Sequence, residues 1–299
     1  VELRQLEHFL AVAEELSFTR AAQRLHVVQS GVSASIKNLE RDLGVLLLDR
    51  SARQVRLTEA GTRFMAEAYA VLDAAQQARE AATGDEGELT GTLRLGTMTA
   101  IRLIDVPAIL GEYHRRHPQV QVLMSAAASG SQGLLTALHE RRIDLAFLST
   151  RGAPPGIRRI KVAESVLRLV VPAGDELAGR DRIELGELAG RDFIDGPEGY
   201  GTRAVTDAAF TEAGVQRRVT LEIADLSTGL DYVRHGLGIA LLPDYLLSGD
   251  LPAGVVVVPV GGQADLDWPV FLAVREDRTP SAAARALVEL VGQWRDRHE

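Results

Sequence analysis

Apolar residues recur with a helical period from the start of the chain. Leu3, Leu6, Phe9, Leu10 and Ala13 fall on one side of a helix over residues 3–15. Ser17 or Thr19 can cap a second helix, FTRAAQRL, by accepting a bond from a free backbone N–H. His26-Val27-Val28 forms a short turn. Val32, Ile36, Leu39 and Leu43 then recur at steps of four, three and four, and Gly44 supplies a helix stop. LLLDR and QVRLT, separated by Ser51-Ala52-Arg53, read as two short strands of a hairpin. Helix, helix, tight turn, helix and hairpin make a mainly α winged helix-turn-helix over residues 1–57.

From Thr58 the period lengthens into one long helix with no breaker between Gly61 and Gly84. Phe64, Ala68, Val71, Ala75, Ala78 and Ala82 alternate steps of four and three, a coiled-coil seam of small residues suited to close dimerisation. The alternative is a helix packed on its own domain. Residues 84–91, GDEGELTG, are polar and glycine-rich and read as a hinge, which makes 58–91 a linker and dimerisation segment. After it, strands such as TLRLGTM, VQVLMSA, DLAFLST, LRLVVPAG and DFIDG alternate with helical stretches. A helix is read over IRLIDVPAILGEYHRR, and a closing one puts Leu287, Leu290, Val291 and Trp294 inward. Strands separated by helices predict parallel sheets with helices on both faces. Residues 92–299 are long for one such sheet, so two α/β lobes with a cleft are expected: lobe I from 92–164 and 266–299, lobe II from 165–265.

The polar face of residues 29–40 changes this picture. Gln29, Ser30, Ser33, Ala34 and Lys37 point away from the buried stripe, and most are small. A merely solvated helix carries Glu, Lys and Arg there. The net charge of −8 argues against a nucleic-acid partner, yet Ser17–Leu57 holds seven basic residues against three acidic ones. The major groove of B-DNA is about 12 Å wide and admits a helix whose side chains are short. Composition otherwise fits a soluble globular protein of two or three domains: 299 residues, 46% hydrophobic and 25% charged. There is no cysteine, so disulfides, thiolate metal sites and thiol switches are excluded and a reducing cytoplasm fits. No apolar run approaches the ~18 residues of a membrane span, and the charged N-terminus does not read as a secretory signal.

Residues 2–61 carry SFTRAA, a Gln-Ser-x-x-Ser opening of the next helix, LE-x-x-LG at its end, and a wing leading into LTEAG. Together these resemble the LysR-type transcriptional regulators, and the likeness extends over the whole chain. Ala34 departs from the pattern, since many members carry an arginine or another polar residue there. The resemblance implies a homodimer or homotetramer that binds double-stranded promoter DNA. It also implies a C-terminal effector-binding domain like the type 2 periplasmic binding proteins, answering a small molecule, with no cofactor and no membrane partner. Gln29 can bond adenine N6 and N7 in a bidentate fashion, and Ser30 and Ser33 can reach bases or phosphates. Lys37, Thr19 and Arg20 suit phosphates. Arg50 and Arg53 read as flexible wing cations, and Arg56 as a further wing cation or a brace of the hairpin.

In a two-lobed α/β unit the ligand belongs beyond the carboxyl ends of the strands. Thr97 and Thr99, Ser129 and Ser131, Thr150, and Gly201 and Thr202 sit at such positions, most of them before helices. Helix N-termini with glycine and hydroxyl residues bind anions, although the same residues also serve as plain caps. The resemblance assigns effector binding to Thr99, Ser129, Ser131, Thr150 and Thr202, with Thr97 and Gly201 beside them. Arg102, Arg168 and Arg203 are candidate carboxylate partners. Asp225 reads as the cap of the LSTGLDYVRHG helix, and Gly236 and Gly238 as a stop and a close backbone approach. His114 and His117 have no acidic or cysteine neighbour in motif spacing, so no metal site is expected. SGSQG is not a nucleophile elbow, and no acid/base pair stands at telling spacing, so an enzyme is not expected. The rival reading is a small-molecule binding protein with no role on DNA.

Overall fold

The computed structural model describes residues 1–297 apart from 51–54, 84–87, 100, 250, 262–264 and 278, and within the long helix it describes no side chain at 80, 81 or 83. Two compact units form. One holds Val1–Glu88 with Glu140–Arg142, the other Leu89–His139 with Ile143–Glu299.

The first unit comprises α1 (Leu3–Glu15), α2 (Phe18–Arg24), α3 (Gln29–Leu43), β1 (Leu48–Asp49), β2 (Arg56–Leu57) and α4 (Glu59–Thr83). Ser17, not Thr19, caps α2: its Oγ accepts the Arg20 N–H at 3.3 Å. Gly44 ends α3 at φ 68°, the left-handed conformation that glycine adopts without strain. The stripe Val32, Ile36 and Leu39 is fully buried against Leu6, Phe9 and Val12 of α1 and Ala21 of α2. The hairpin is short, Leu48 facing Leu57 and Asp49 facing Arg56.

The α4 helix closes the same core, and this divides the expected dimer seam. Phe64 packs edge-to-face on Phe9 at 5.3 Å, and Ala68 is buried beside Tyr69. Those two positions are taken up inside the unit because α1 needs an apolar lid. Val71 (46% exposed), Ala78 and Ala82 remain on the surface, with Ala75 half-buried.

His8 is buried in α1, and its Nδ1 has no hydrogen-bond partner among the described residues. Burial, reinforced by Arg4 and opposed by Glu7, lowers its pKa below the ordinary 6.5. The unfolded chain therefore takes up the proton first. The stability this histidine contributes is full above the unfolded value and is lost as pH falls below it. Urea unfolding at a series of pH values should show a decline below about pH 6.5 that His8→Leu reduces.

The second unit runs β3 (Gly91–Thr97), α5 (Val106–Arg116), β4 (Val120–Ala126), α6 (Gly130–His139), β5 (Leu145–Leu148), β6 (Ile157–Pro172), β7 (Asp192–Asp195), α7 (Gly201–Glu212), β8 (Arg218–Glu222), α8 (Gly229–Arg234), β9 (Ala240–Pro243), β10 (Val255–Val258), β11 (Asp267–Arg275) and α9 (Ala282–Asp296). Seven strands join in the order β10-β6-β11-β5-β3-β4, with β9 also on β6. The all-parallel expectation is corrected here. Among the described strands, β3 with β4 and β5, and β7 with β8, run parallel. β11 runs antiparallel to both β5 and β6, and β6 antiparallel to β9 and β10, because β11 enters the sheet between β5 and β6 from the far end of the chain, with no strand–helix–strand crossover to fix its direction. β6 is a sixteen-residue strand of which the sequence suggested only the second half. Its residues 157–166 pair with β11 and its residues 167–172 with β9 and β10, so this one strand carries the chain from lobe I into lobe II.

Two helix boundaries also move. α5 starts at Val106, where Asp105 accepts the Ala108 N–H at 2.9 Å, so residues 101–105 are not helical. Asp225 caps a single 3-10 turn (226–228), accepting the Ser227 N–H at 3.0 Å, and only then does the six-residue α8 begin. Gly238 lets the chain pass close to β7: a β-carbon there would stand 2.7 Å from the Asp192 carbonyl oxygen. On α9, Leu287, Leu290 and Val291 are buried, and the Tyr113 hydroxyl, its pKa pushed up to about 12 by burial, donates to the Ala283 carbonyl at 2.8 Å.

Candidate nucleic-acid interface and ligand pocket

α3 presents two unlike faces. Opposite the buried stripe, Gln29, Ser30, Ala34 and Lys37 are exposed and Ser33 is half-buried. The helix begins after Val28, which supplies no side-chain cap, so the N–H groups of its first turn are free of a capping oxygen. Thr19 and Arg20 are exposed at the start of α2. The Arg20 guanidinium is shared with Glu15 (3.2 Å), an exposed pair of the kind that contributes little and exchanges readily.

Arg50 departs from the expectation of a flexible cation. It donates to Glu40 at 2.8 Å and lies 5.0 Å from the centre of the Phe18 ring. The Glu40 carboxylate is buried, and an ion pair to a buried group is held much more firmly than a surface one. Arg53 falls outside the described residues. Arg56 is exposed on β2.

In the second unit, α6 of lobe I and α7 of lobe II point their N-termini into one pocket, with about 470 Å³ of empty space including its mouth. Close backbone approach makes the convergence possible. A β-carbon on Gly201 would stand 2.7 Å from Ser149 Cβ at the end of β5, and one on Gly130 would stand 2.7 Å from the Tyr200 ring. Gln132 N–H donates to the Gly199 carbonyl at 3.0 Å, and the Ser131 Oγ accepts the Ser149 N–H at 3.1 Å.

Thr99, Ser131, Gly201 and Thr202 line this pocket as expected. Thr97, Ser129 and Thr150 do not. Thr97 Oγ1 turns to its neighbour's carbonyl at 3.2 Å, and Thr150 Oγ1 is held by Arg159 at 3.0 Å. Ser129 is exposed behind Gly199. Sequence reasoning missed the aromatic wall, Tyr245 stacked on Trp268 at 6.0 Å, together with Leu226 and Ser227. No motif marks Trp268. It lies on a strand far along the chain and reaches the pocket only through the sheet.

Among the described residues, no charged side chain lines the pocket. Thr202 Oγ1 and Trp268 Nε1 are buried without a hydrogen-bond partner among the described residues. The Tyr245 hydroxyl has its pKa pushed up to about 12 by burial, with Asp225 adding to the rise and Arg102 opposing it, so it stays protonated and able to donate. Of the three candidate cations, Arg102 lines a separate groove with Asp105, Lys161 and Glu164. Arg203 is committed to Asp207 (2.9 Å) and Glu222 (3.2 Å), and Arg168 is exposed on β6. No group of three or more acidic or histidine side chains able to hold a metal is found among the described residues.

A winged helix-turn-helix joined to a two-lobed unit with a pocket between helix N-termini defines a ligand-responsive DNA-binding regulator. The chain belongs to the LysR family: residues 3–62 match the model "Bacterial regulatory helix-turn-helix protein, lysR family", residues 86–296 match "LysR substrate binding domain", and it is a LysR-type transcriptional regulator with an effector-binding domain. It is 34% identical to the HTH-type transcriptional regulator ShiR of Corynebacterium glutamicum over 243 residues, 81% of this chain and 82% of that one. It is 32% identical to a probable hydrogen peroxide-inducible genes activator of Streptomyces viridosporus over 301 residues, 98% of this chain and 93% of that one. Among solved structures it resembles full-length OxyR from Pseudomonas aeruginosa, with a TM-score of 0.76, 25% identity, and 99% and 94% of the two chains covered. These relatives are transcriptional regulators. The 299 residues here hold no cysteine, so no thiol switch lies within them. No helix among the described residues is long and apolar enough to cross a membrane.

Proposed function

We propose that this regulator reads promoter DNA with α3 and answers a small anionic molecule held between α6 and α7. The observation that carries the ligand class is the meeting of two helix N-termini in a pocket with no charged wall. Partial positive charge at the two helix N-termini favours an anion, while Thr202 and Trp268 add donors beside it. The stacked Tyr245–Trp268 pair favours a ligand with a flat apolar body. On the DNA side, Gln29, Ser30 and Ser33 contact base edges, Lys37, Thr19 and Arg20 contact phosphates, and Arg53 reaches the backbone from the wing. Pairing through Val71, Ala75, Ala78 and Ala82 of α4 joins two chains into the dimer. The protein acts in the cytoplasm and turns over no substrate.

The ligand reading is tested by a thermal-shift screen of small aromatic and aliphatic carboxylates against their amides, followed by Trp268 fluorescence. Stabilisation by the acids alone supports it, and equal stabilisation by the amides would remove the case for an anion. The DNA reading is tested by mobility shift on a duplex selected from a random pool. Gln29→Ala should reduce the ratio of selected to random binding about tenfold. Lys37→Ala should weaken both duplexes alike and lower the slope of log affinity against log salt by about one. The same assay decides against a small-molecule binder without a DNA role, which would shift neither duplex.

A further inference from the structure

Two motifs of the first unit, LE-x-x-LG and LTEAG, carry no obvious DNA contact, yet they meet in space around Leu46, Leu47 and Leu48. From the last turn of α3, Glu40 Oε1 accepts the N–H of Leu47 at 2.9 Å and of Leu48 at 3.1 Å. Its Oε2 accepts from Arg50 at 2.8 Å, and the Arg50 guanidinium lies over Phe18, the first residue of α2. From the other side, Thr58 Oγ1 donates to the Leu46 carbonyl at 2.8 Å and Thr58 N–H donates to the Leu47 carbonyl at 3.0 Å. Gly61 N–H in turn donates to Thr58 Oγ1 at 2.9 Å. A β-carbon at Gly61 would stand 2.0 Å from the Leu47 carbonyl oxygen, so only glycine lets α4 come this close. The segment that launches the wing is therefore gripped between the recognition helix and the linker helix, and the grip on the α3 side is a single buried carboxylate, 5% exposed.

We propose that Glu40 is a positioning residue for DNA recognition: with Arg50 as its relay, it sets the wing against the reading face of α3. This rests on the reading of α3 as the recognition helix. Helix and wing must engage one duplex together, at the groove and at the flanking backbone. A fixed spacing between them favours the selected sequence, where base contacts demand one register, more than random DNA, where phosphates can be met in many registers. The carboxylate suits the task. It accepts three hydrogen bonds at once, and its charge draws Arg50 back to the helix. Arg50 is then a part of the frame and not a ligand of phosphate.

The test uses the full chain, a duplex selected from a random pool by that chain, and a random duplex of equal length, titrated over a salt series. Glu40→Gln keeps volume and one acceptor but loses the charge. Arg50→Met keeps the apolar stem over Phe18. Both should reduce the ratio of selected to random affinity about tenfold, with the salt slope unchanged. A residue that only stabilises the fold would lower the folded fraction and scale both affinities together, leaving the ratio alone. An unchanged ratio in both variants overturns the proposal. So does an Arg50→Met that weakens both duplexes equally with a slope smaller by about one, because Arg50 then meets a phosphate directly. Should Glu40→Gln fail to fold, Arg50→Met decides. Gln29→Ala separates the two layers. If it too leaves the ratio unchanged, the reading of α3 fails. If it lowers the ratio while the other two do not, only the role of Glu40 fails.

Discussion

Gly201→Val should abolish stabilisation by any carboxylate that the native protein binds. The first carbon of the new side chain would stand 2.7 Å from Ser149 Cβ and 2.9 Å from the Ser149 carbonyl oxygen, closer than β-carbons of folded proteins approach other heavy atoms. Something has to move, and the obstacle is the end of β5, a core strand whose residues 145–148 are fully buried. The N-terminus of α7 is the freer side, so lobe II is wedged away from lobe I and the two helix N-termini separate. An anion that needs both then loses half its donors. A ligand present at a hundred times its dissociation constant stabilises the native state by about 2.7 kcal/mol, and that shift should vanish. Gly201 has no unusual backbone angle, so the effect comes from space alone. The control is Gly174→Val, on an exposed turn with nothing within 4 Å of the added carbon, which should keep the full ligand shift. A ligand response retained in Gly201→Val would mean that the pocket works with its lobes apart.

Asp195→Ala is expected to destabilise the second unit by about 3–5 kcal/mol. Arg217 reaches Asp195 at 2.8 Å with both side chains 4% exposed, and its guanidinium lies 5.3 Å from the Phe193 ring centre and 5.6 Å from that of Phe210. Burial pushes the Asp195 carboxyl upward while Arg217 pulls it back. Removing the carboxylate leaves a guanidinium in an apolar pocket, paired with Asp207, itself half exposed, at 2.6 Å. Asp195 also accepts the Gly196 N–H at 2.6 Å and so starts the loop that leads into α7. Urea unfolding of Asp195→Ala, Arg217→Met and the double variant checks this. The double variant should recover much of the loss, since an apolar replacement of a buried pair leaves no stranded charge. A loss below ~1 kcal/mol in Asp195→Ala would show that Asp207 alone holds Arg217.

Local order was plain in the chain because it depends on neighbours in sequence. The period of Val32, Ile36 and Leu39 places α3 and its buried stripe, and a glycine at 44 stops it, wherever the rest of the protein lies. The small polar face at Gln29, Ser30 and Ala34 follows from the same period. Part of the pocket lining was also legible, since Thr99, Ser131, Gly201 and Thr202 sit where strands hand over to helices. The remainder depended on partners distant in sequence. Whether an arginine is free is set by what stands opposite it. Arg50 looks like any wing cation until Glu40, ten residues earlier, is seen to hold it. Strand direction was misread for a related reason: β6 and β11 are neighbours across more than a hundred residues, and no local period reports that pairing.

By itself, then, the sequence determined the winged helix-turn-helix, the long helix after it and the alternation of strands and helices, because backbone propensity and apolar period act over a few residues. Only the tertiary structure decided which seam positions of α4 are spent on the unit's own core, which hydroxyls reach the pocket, and that its wall is aromatic and uncharged. Those outcomes turn on close approach between segments far apart in the chain, and close approach is set by the packing of the whole unit.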